Sequence, residues 1–193
     1  VEKSNGDNDP SGDYGASDNV FYVGSRTEGP AYGDQYMDSI RVSKGVSRYP
    51  DGTTFTPPTE AFVSDSNTVF LLQSGADGTQ TPTTDTGNTG HTITYNGDVR
   101  WFAPKVGAGA MALDGSDYFQ VPQHVDFGFG TGDFTVEAWV KFSTAPSGKN
   151  IIVSQGDVGG SSDTTGWSMY QNGTTSIAFE ATQQVSPWIG YTK

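Results

Sequence analysis

Residues 7–18 carry oxygen-bearing side chains at a spacing that could hold a calcium ion. In D-N-D-P-S-G-D-Y-G-A-S-D, such side chains occupy loop positions 1, 3, 5, 7 and 12, and glycine occupies position 6. This is the ligand order of a twelve-residue calcium loop, although Pro10 is unusual and no helices are predicted around it. Asp, Gly and Ser also dominate ordinary turns, so a polar turn is the simpler interpretation. The carboxylates that would bind the ion are Asp7, Asp9, Asp13 and Asp18.

A second acidic loop lies at residues 155–166, Q-G-D-V-G-G-S-S-D-T-T-G. Its Asp157 and Asp163 could bind calcium, or could meet sugar hydroxyls directly or through the ion. The flexibility of a Gly-rich loop explains the same composition equally well. Calcium is therefore the one cofactor that the sequence suggests, with these two loops as its candidate sites.

Tryptophan side chains are the other candidates for ligand contact, because an exposed indole face can stack on a sugar ring. Trp167 and Trp188 fall in segments without a clear pattern, and together with Asp163 they form the predicted glycan-binding set. Burial in the core or in an interface is the alternative for each ring. Trp139 is predicted to lie in the core, since it shares an alternating strand with apolar residues.

Catalysis finds little support in the sequence. No E-x-D-x-E strand is present that would project carboxylates on one face for glycoside hydrolysis. His91 and His124 fall in turn-like segments without a recognisable nucleophile motif, and both are predicted to be surface residues. Asp38 and Arg41 share one strand and are expected to make structural pairings. The sequence therefore predicts a protein that is not an enzyme.

Composition excludes several other classes of function. The formal net charge is −12 and the basic residues are scattered singly, so nucleic-acid binding is disfavoured. No apolar run approaches the roughly 20 residues that span a bilayer, so no membrane insertion is predicted. The chain has no cysteine, which rules out disulfides and thiolate metal sites. The 26 Gly and 10 Pro indicate short strands separated by turns.

Alternating apolar residues predict an all-β fold without long helices. The predicted strands lie at 20–24, 36–43, 69–72, 92–95, 99–103, 110–114, 117–121, 133–142, 150–154, 166–171 and 175–181. Residues 49–66 are rich in Pro and Thr and cannot continue a ladder, so they are predicted to be an extended linker.

Four motifs resemble those of the laminin-G-like, concanavalin A-like jelly-roll family. Residues 35–58 (Q-Y-M-D-S-I-R-V-S-K-G-V-S-R-Y-P-D-G-T-T-F-T-P-P) resemble its closing strand and tail, with Ser39 where the family usually has Glu. Residues 85–91 (D-T-G-N-T-G-H), 113–119 (L-D-G-S-D-Y-F) and 132–140 (G-D-F-T-V-E-A-W-V) resemble its opening half. The resemblance spans roughly residues 20–180 and implies an antiparallel β-sandwich.

The order of these motifs is reversed, because the closing strand precedes the opening half. The resemblance thus implies the C-terminal part of one jelly roll at 1–48, a linker at 49–66, and the N-terminal part of a second at 67–193. The family's mid-domain W-x-H-x-A strand and Y-V-D-G hairpin occur in neither part. A fragment of a longer multi-repeat protein is therefore favoured, and the alternative is a permuted or strand-exchanged sandwich in which the two parts pair.

The resemblance also implies a function. Similar jelly rolls occur in structural proteins of tailed phages and in bacterial surface proteins. This suggests a non-enzymatic structural or adhesion protein on a virion (fibre, tail or capsid decoration) or a cell surface, contacting glycans through its loops. The expected partners are surface glycans or neighbouring subunits of a larger assembly. The alternatives are a structural assembly repeat without ligand and, less favoured, an accessory module of a carbohydrate-active enzyme.

Overall fold

The protein is an antiparallel β-sandwich. The computed structural model describes residues 19–26, 32–50, 55–73, 82–107, 109–143, 148–156, 166–173, 176–182 and 189–191. Its strands are β1 (Phe21–Val23), β2 (Asp34–Lys44), β3 (Thr68–Leu72), β4 (Thr94–Asn96), β5 (Arg100–Phe102), β6 (Ala110–Asp114), β7 (Tyr118–Val121), β8 (Phe134–Phe142), β9 (Lys149–Gln155), β10 (Gly166–Asn172), β11 (Ser176–Thr182) and β12 (Ile189–Tyr191).

Alternation and turn residues explain why these segments are strands. The eleven predicted strands correspond to β1 to β11, and β6 has the predicted bounds. Strand β12 was not predicted. A short 3-10 helix, Val125–Phe127, is the helical element of the described residues, and His124 caps its N-terminus. No helix in this described part of the chain is long and apolar enough to cross a membrane.

The first sheet has seven strands in the order β12-β11-β10-β9-β1-β7-β4. Strand β1 lies between β7 and β9, so Phe21 faces Val121 on one side and Gln155 on the other. The second sheet has five strands, with β2 at its centre. Along one edge, β2 pairs with β8. Along its other edge, the first half of β2 pairs with β6 and its second half pairs with β3.

The linker separates two segments that pair with each other within one chain. Strands β1 and β2 precede residues 49–66, yet every strand paired with them follows those residues. This within-chain pairing is the arrangement expected of a permuted sandwich. The boundaries at 1–48, 49–66 and 67–193 stay a prediction about where the two parts originate.

The core lies between the two sheets and is rich in aromatic rings. Phe21 stacks on Phe127 with ring centroids 4.3 Å apart, and it meets Phe70 edge-on at 5.1 Å. The ring of Trp167 stacks on Phe129 at 4.9 Å. Burying each such side chain stabilises the fold by about 1.5–3 kcal/mol. The residues of β1 and β2 are therefore part of the same core as those of the later strands.

Strand β2 is interrupted by a bulge between Asp38 and Arg41, where its register with β8 shifts. Ser39 has a φ of 51°, the left-handed conformation that a non-glycine residue adopts only when its surroundings hold it there. The bulge changes which residues of β2 share a face. Asp38, at the start of this bulge, lies beside the loop that joins β5 to β6.

Candidate functional site

A cleft of about 620 Å³ opens on the outer side of the five-stranded sheet. Its volume is in the range of small-molecule sites, roughly 300–1,000 Å³. The cleft is formed by side chains of β2, β5, β6 and β8 and by the loop that joins β5 to β6. Its lining residues are Tyr36, Met37, Asp38, Phe102, Ala103, Pro104, Lys105, Ala110, Trp139, Val140 and Lys141.

Strand register explains why the aromatic and charged side chains of this cleft lie on one face of the sheet. Tyr36 lies opposite Lys141, and Asp38 lies opposite Trp139. Residues two apart on a strand point to the same side, and residues directly opposite on paired strands do so as well. These four side chains therefore belong to the outer face. Phe102 joins them from β5 and is 46% exposed.

One wall of the cleft is held in place by Asp38. Its Oδ2 accepts hydrogen bonds from the backbone N–H groups of Lys105 and Val106, each at 2.8 Å, and its Oδ1 accepts one from the Ser39 hydroxyl. Burial raises the pKa of Asp38, although these hydrogen bonds oppose the rise. The buried carboxylate thus positions the loop that carries Lys105.

The side chains at the cleft combine flat rings with positive charge. The Tyr36 and Phe102 rings meet edge-on, with centroids 5.6 Å apart. The Lys105 ammonium lies 5.4 Å from the Trp139 ring centroid, and the Lys141 ammonium lies 5.7 Å from that of Tyr36. Rings offer stacking surfaces to apolar faces of a ligand, and the lysines attract anionic or hydroxyl oxygens. The arrangement suits a polar ligand with an apolar face.

The structure corrects the prediction that Trp139 is a core residue. Phe134, Val136 and Val140 do pack against the core, but Trp139 has the opposite parity in β8 and lines the cleft. Its indole Nε1 is buried without a hydrogen-bond partner among the described residues. A strict two-residue count along the strand was sufficient to place this ring outside.

Trp167 does not suit the sugar-stacking role predicted for it. The residue is fully buried, its ring stacks on Phe129 and Phe179, and its indole N–H donates to the Phe127 carbonyl oxygen at 2.9 Å. Its prediction as a glycan contact is therefore withdrawn, because no ligand can reach the ring. The remaining predicted site residues lie outside the described residues: Trp188, Asp7, Asp9, Asp13, Asp18, Asp157 and Asp163.

His91 was predicted to be a surface residue, and this was wrong. It is 7% exposed, and its Nδ1 lies 2.9 Å from Asp85 Oδ2. His124 is partly exposed. Arg41 and Asp38 were predicted to make structural pairings. Arg41 forms an ion pair with Glu137, and Asp38 accepts hydrogen bonds from backbone amides, so both predictions are confirmed.

A second group of carboxylates comes together at the β4–β5 and β6–β7 turns. Asp98, Asp114 and Asp117 each have an oxygen within 4.8 Å of the others. Asp117 accepts hydrogen bonds from the backbone of Asp98 and Asp114, and Asp98 binds the side chain of Arg100. Burial first, and then the neighbouring carboxylates, raise the pKa of Asp117. These interactions account for the group as a turn-stabilising arrangement.

Two facing antiparallel sheets with an aromatic core are consistent with a concanavalin A-like β-sandwich. Residues 113–192 match the laminin-G family model Laminin_G_3, described as the Concanavalin A-like lectin/glucanases superfamily. The resemblance found in the sequence motifs is confirmed over these residues. No curated protein and no solved structure matches the chain. A lectin domain of this class fits carbohydrate binding or adhesion, and laminin-G-like lectin domains are generally non-enzymatic.

Proposed function

We propose that the protein is a non-enzymatic adhesion module that binds glycans in the cleft on its five-stranded sheet. The observation that carries this proposal is the grouping of Tyr36, Phe102 and Trp139 with two lysines around one cavity. Sugars present apolar C–H faces and polar hydroxyl edges, so rings beside hydrogen-bond donors suit them.

The charge of the cleft favours an acidic glycan. Lys105 and Lys141 are exposed at its edge, whereas Asp38 is buried and already accepts backbone hydrogen bonds. The protein as a whole is strongly acidic, so a pair of ammonium groups creates a local region of positive potential on a negatively charged molecule. A carboxylate or sulfate on a sugar would approach these lysines, and its binding would weaken as salt screens them.

The test is a glycan array followed by titration with the best ligand. Phe102→Ala and Lys141→Ala are each expected to weaken binding by about 1 kcal/mol, roughly fivefold, without changing the melting temperature greatly. Val125→Ala is the matched control, because Val125 is also an exposed apolar residue but does not line the cleft. Wild-type affinity in both cleft variants would reject the cleft as the binding site.

Display on a virion or a cell surface is the second part of the proposal. It rests on the resemblance of the chain to structural proteins of tailed phages and to bacterial surface proteins. We expect neighbouring subunits as partners in a fibre, tail or capsid decoration, or in a cell-surface assembly. Identifying the neighbours of this chain by cross-linking in its native particle would test this, and recovery of the chain in the cytosol alone would reject it.

A purely structural repeat is the alternative function, and the exposure of Phe102 and Val63 favours it. Exposed apolar side chains of this size also occur where subunits meet. If no glycan binds and Phe102 becomes buried against a neighbour in the particle, the structural alternative replaces glycan binding. An accessory role beside a carbohydrate-active enzyme would instead require a catalytic domain in the native protein.

Calcium stays a proposed ligand of the loops at residues 7–18 and 155–166. Carboxylates repel one another, so an ion between them would stabilise the folded protein. The measurement is the melting temperature with millimolar calcium and with a chelator. An unchanged melting temperature would leave both loops as ordinary turns.

A further inference from the structure

Asp85 organises a loop between β3 and β4 through an unusually complete set of hydrogen bonds. Its Oδ1 accepts from the backbone N–H groups of Leu71 at 3.2 Å and Gly87 at 2.6 Å. Its Oδ2 accepts from the His91 backbone at 2.5 Å and lies 2.9 Å from the His91 ring Nδ1. The carboxylate is buried, so these contacts fix both the loop and the imidazole.

His91 therefore has one ring nitrogen held by Asp85, and its other ring nitrogen faces Asp126. When the neutral ring donates from Nδ1 to Asp85, Nε2 carries the lone pair. This Nε2 is buried, and the polar atom that faces it, Asp126 Oδ2 at 3.1 Å, is itself an acceptor, so no hydrogen bond forms between this form of the imidazole and the carboxylate. A buried acceptor and a second acceptor that faces it at this distance need a proton or a metal ion between them.

Two more ligand-type atoms lie in front of that nitrogen. Asp126 Oδ2 is 3.1 Å from His91 Nε2 and 3.2 Å from His124 Nδ1. The three atoms all lie within 4.8 Å of one another. Ligands held 2.0–2.1 Å from a tetrahedral ion stand about 3.3 Å apart, so the two nitrogen-to-oxygen distances match the edges of such a site.

We propose that His91, His124 and Asp126 form a binding site for a divalent transition metal of the zinc type. Two imidazoles and one carboxylate suit zinc, cobalt or nickel, whereas calcium prefers oxygen ligands alone. Asp85 would be the outer carboxylate that orients the His91 ring, as in the carboxylate–histidine–metal arrangement of many such sites.

A bound ion would replace the direct contacts of Asp126 Oδ2 with His91 Nε2 and His124 Nδ1, and two hydrogen bonds would compete with it. The Thr89 hydroxyl donates to Asp126 Oδ2 at 2.5 Å, a contact that a bound carboxylate can keep through its further lone pairs. His124 Nδ1 accepts a long hydrogen bond, 3.3 Å, from the Asp126 backbone. Ion binding would replace that bond by a small rotation of the ring, which is 39% exposed.

The exposed side of His124 also leaves room for water. Three protein ligands and one solvent-facing position describe an open site, in which the ion keeps a water molecule. The ion would join the loop at residues 85–91 to the 3-10 helix Val125–Phe127. None of the three ligands lines the glycan cleft, so the two sites are independent.

The experiment is a calorimetric titration of the tag-free protein with zinc chloride, because a polyhistidine tag would bind the same ion. We expect one zinc ion to bind at the site formed by His91, His124 and Asp126. Zinc should also raise the melting temperature, and a chelator should reverse that rise. His124→Ala is expected to weaken zinc at least about tenfold, and Asp126→Asn similarly. Asp98→Asn, in the other carboxylate group, is the control and should bind zinc as the wild type does.

A second readout separates ligation from general stability. Cobalt added in place of zinc should give the visible absorption of a tetrahedral ion in the wild type and lose it in His124→Ala. If His124→Ala does not fold, His124→Gln keeps the polar side chain and serves the same purpose. Absence of zinc binding at millimolar ion, or wild-type binding in both ligand variants, would overturn the proposal.

Discussion

Removing the Glu137 carboxylate should destabilise the protein strongly, because it would leave a buried guanidinium unpaired. Glu137 Oε2 accepts from Arg41 Nε at 2.7 Å and lies 2.7 Å from the second guanidinium nitrogen, while Oε1 accepts from the Tyr49 hydroxyl. The side chains of Arg41 and Glu137 are only 11% and 8% exposed. Water therefore cannot replace the lost carboxylate.

The expected cost of Glu137→Leu is about 3–5 kcal/mol of unfolding free energy, the range for breaking a buried ion pair. In a domain of this size each kcal/mol lowers the melting temperature by about 2–4 °C, so a fall of roughly 6–20 °C is expected. Arg41 keeps a 3.4 Å hydrogen bond to the Val63 carbonyl oxygen and its contact with the Phe62 ring, and these recover only part of the loss.

Urea unfolding followed by tryptophan fluorescence measures this cost. The exposed pair Asp98–Arg100, with side chains 65% and 73% exposed, is the control, and Asp98→Asn should cost less than about 1 kcal/mol. The double variant Arg41→Leu with Glu137→Leu should be more stable than Glu137→Leu alone by about 1 kcal/mol or more, since no charge stays unpaired. A cost for Glu137→Leu no larger than that of the control would refute the reasoning.

Three further perturbations follow from the same contacts. Burial, and then the hydrogen bond to Glu137, raises the pKa of Tyr49 to about 12, so its stabilisation is present below about pH 10 and is lost between about pH 10 and 12; Tyr49→Phe should flatten this part of the stability profile. Gly97→Ala should cost about 1–3 kcal/mol, because φ is +88° and the new Cβ would lie 1.9 Å from Asp117 Oδ1, and an unchanged urea midpoint would contradict this. Asp38→Ala should weaken glycan binding and lower the unfolding free energy by about 1–3 kcal/mol for each N–H left unpaired, whereas Asp38→Asn keeps an acceptor and should cost less. If the two variants had the same affinity in glycan titration and the same stability in thermal denaturation, this role of Asp38 would be contradicted.

Local pattern was sufficient for the strands but not for their assembly. The alternation of apolar residues located β1 to β11 because each strand buries one face, and period-two spacing records that burial directly. Strand β12 pairs with β11 through Ile189 to Tyr191, a segment too short to show alternation. The pairing of β2 with β8 could not be deduced from either segment alone, since it joins residues about 100 positions apart.

The two candidate sites differ in how far sequence could have found them. The cleft was missed because Trp139 was grouped with its apolar neighbours, and counting every second residue from Lys141 would have placed it correctly. The proposed zinc site has no local signature, because His91 and Asp126 are brought together only by folding. The sequence did identify residues 85–91 as a turn, but not that its histidine is buried.

The interior positions of β1 and β2 in their sheets have a consequence for how the chain folds as it is synthesised. Phe21 pairs with Gln155, and Tyr36 pairs with Lys141, so these contacts close loops of more than 100 residues. At a synthesis rate of roughly 5–20 residues per second, strand β1 waits about 7–27 s for its β9 neighbour. The edge that pairs with β9 stays open for this time, the other edge stays open until β7 is made, and open edges pair readily with other chains. Folding of this sandwich is therefore expected to be slow and to wait for the late strands, and chaperone binding to the nascent chain should concentrate on the apolar residues of β1 and β2.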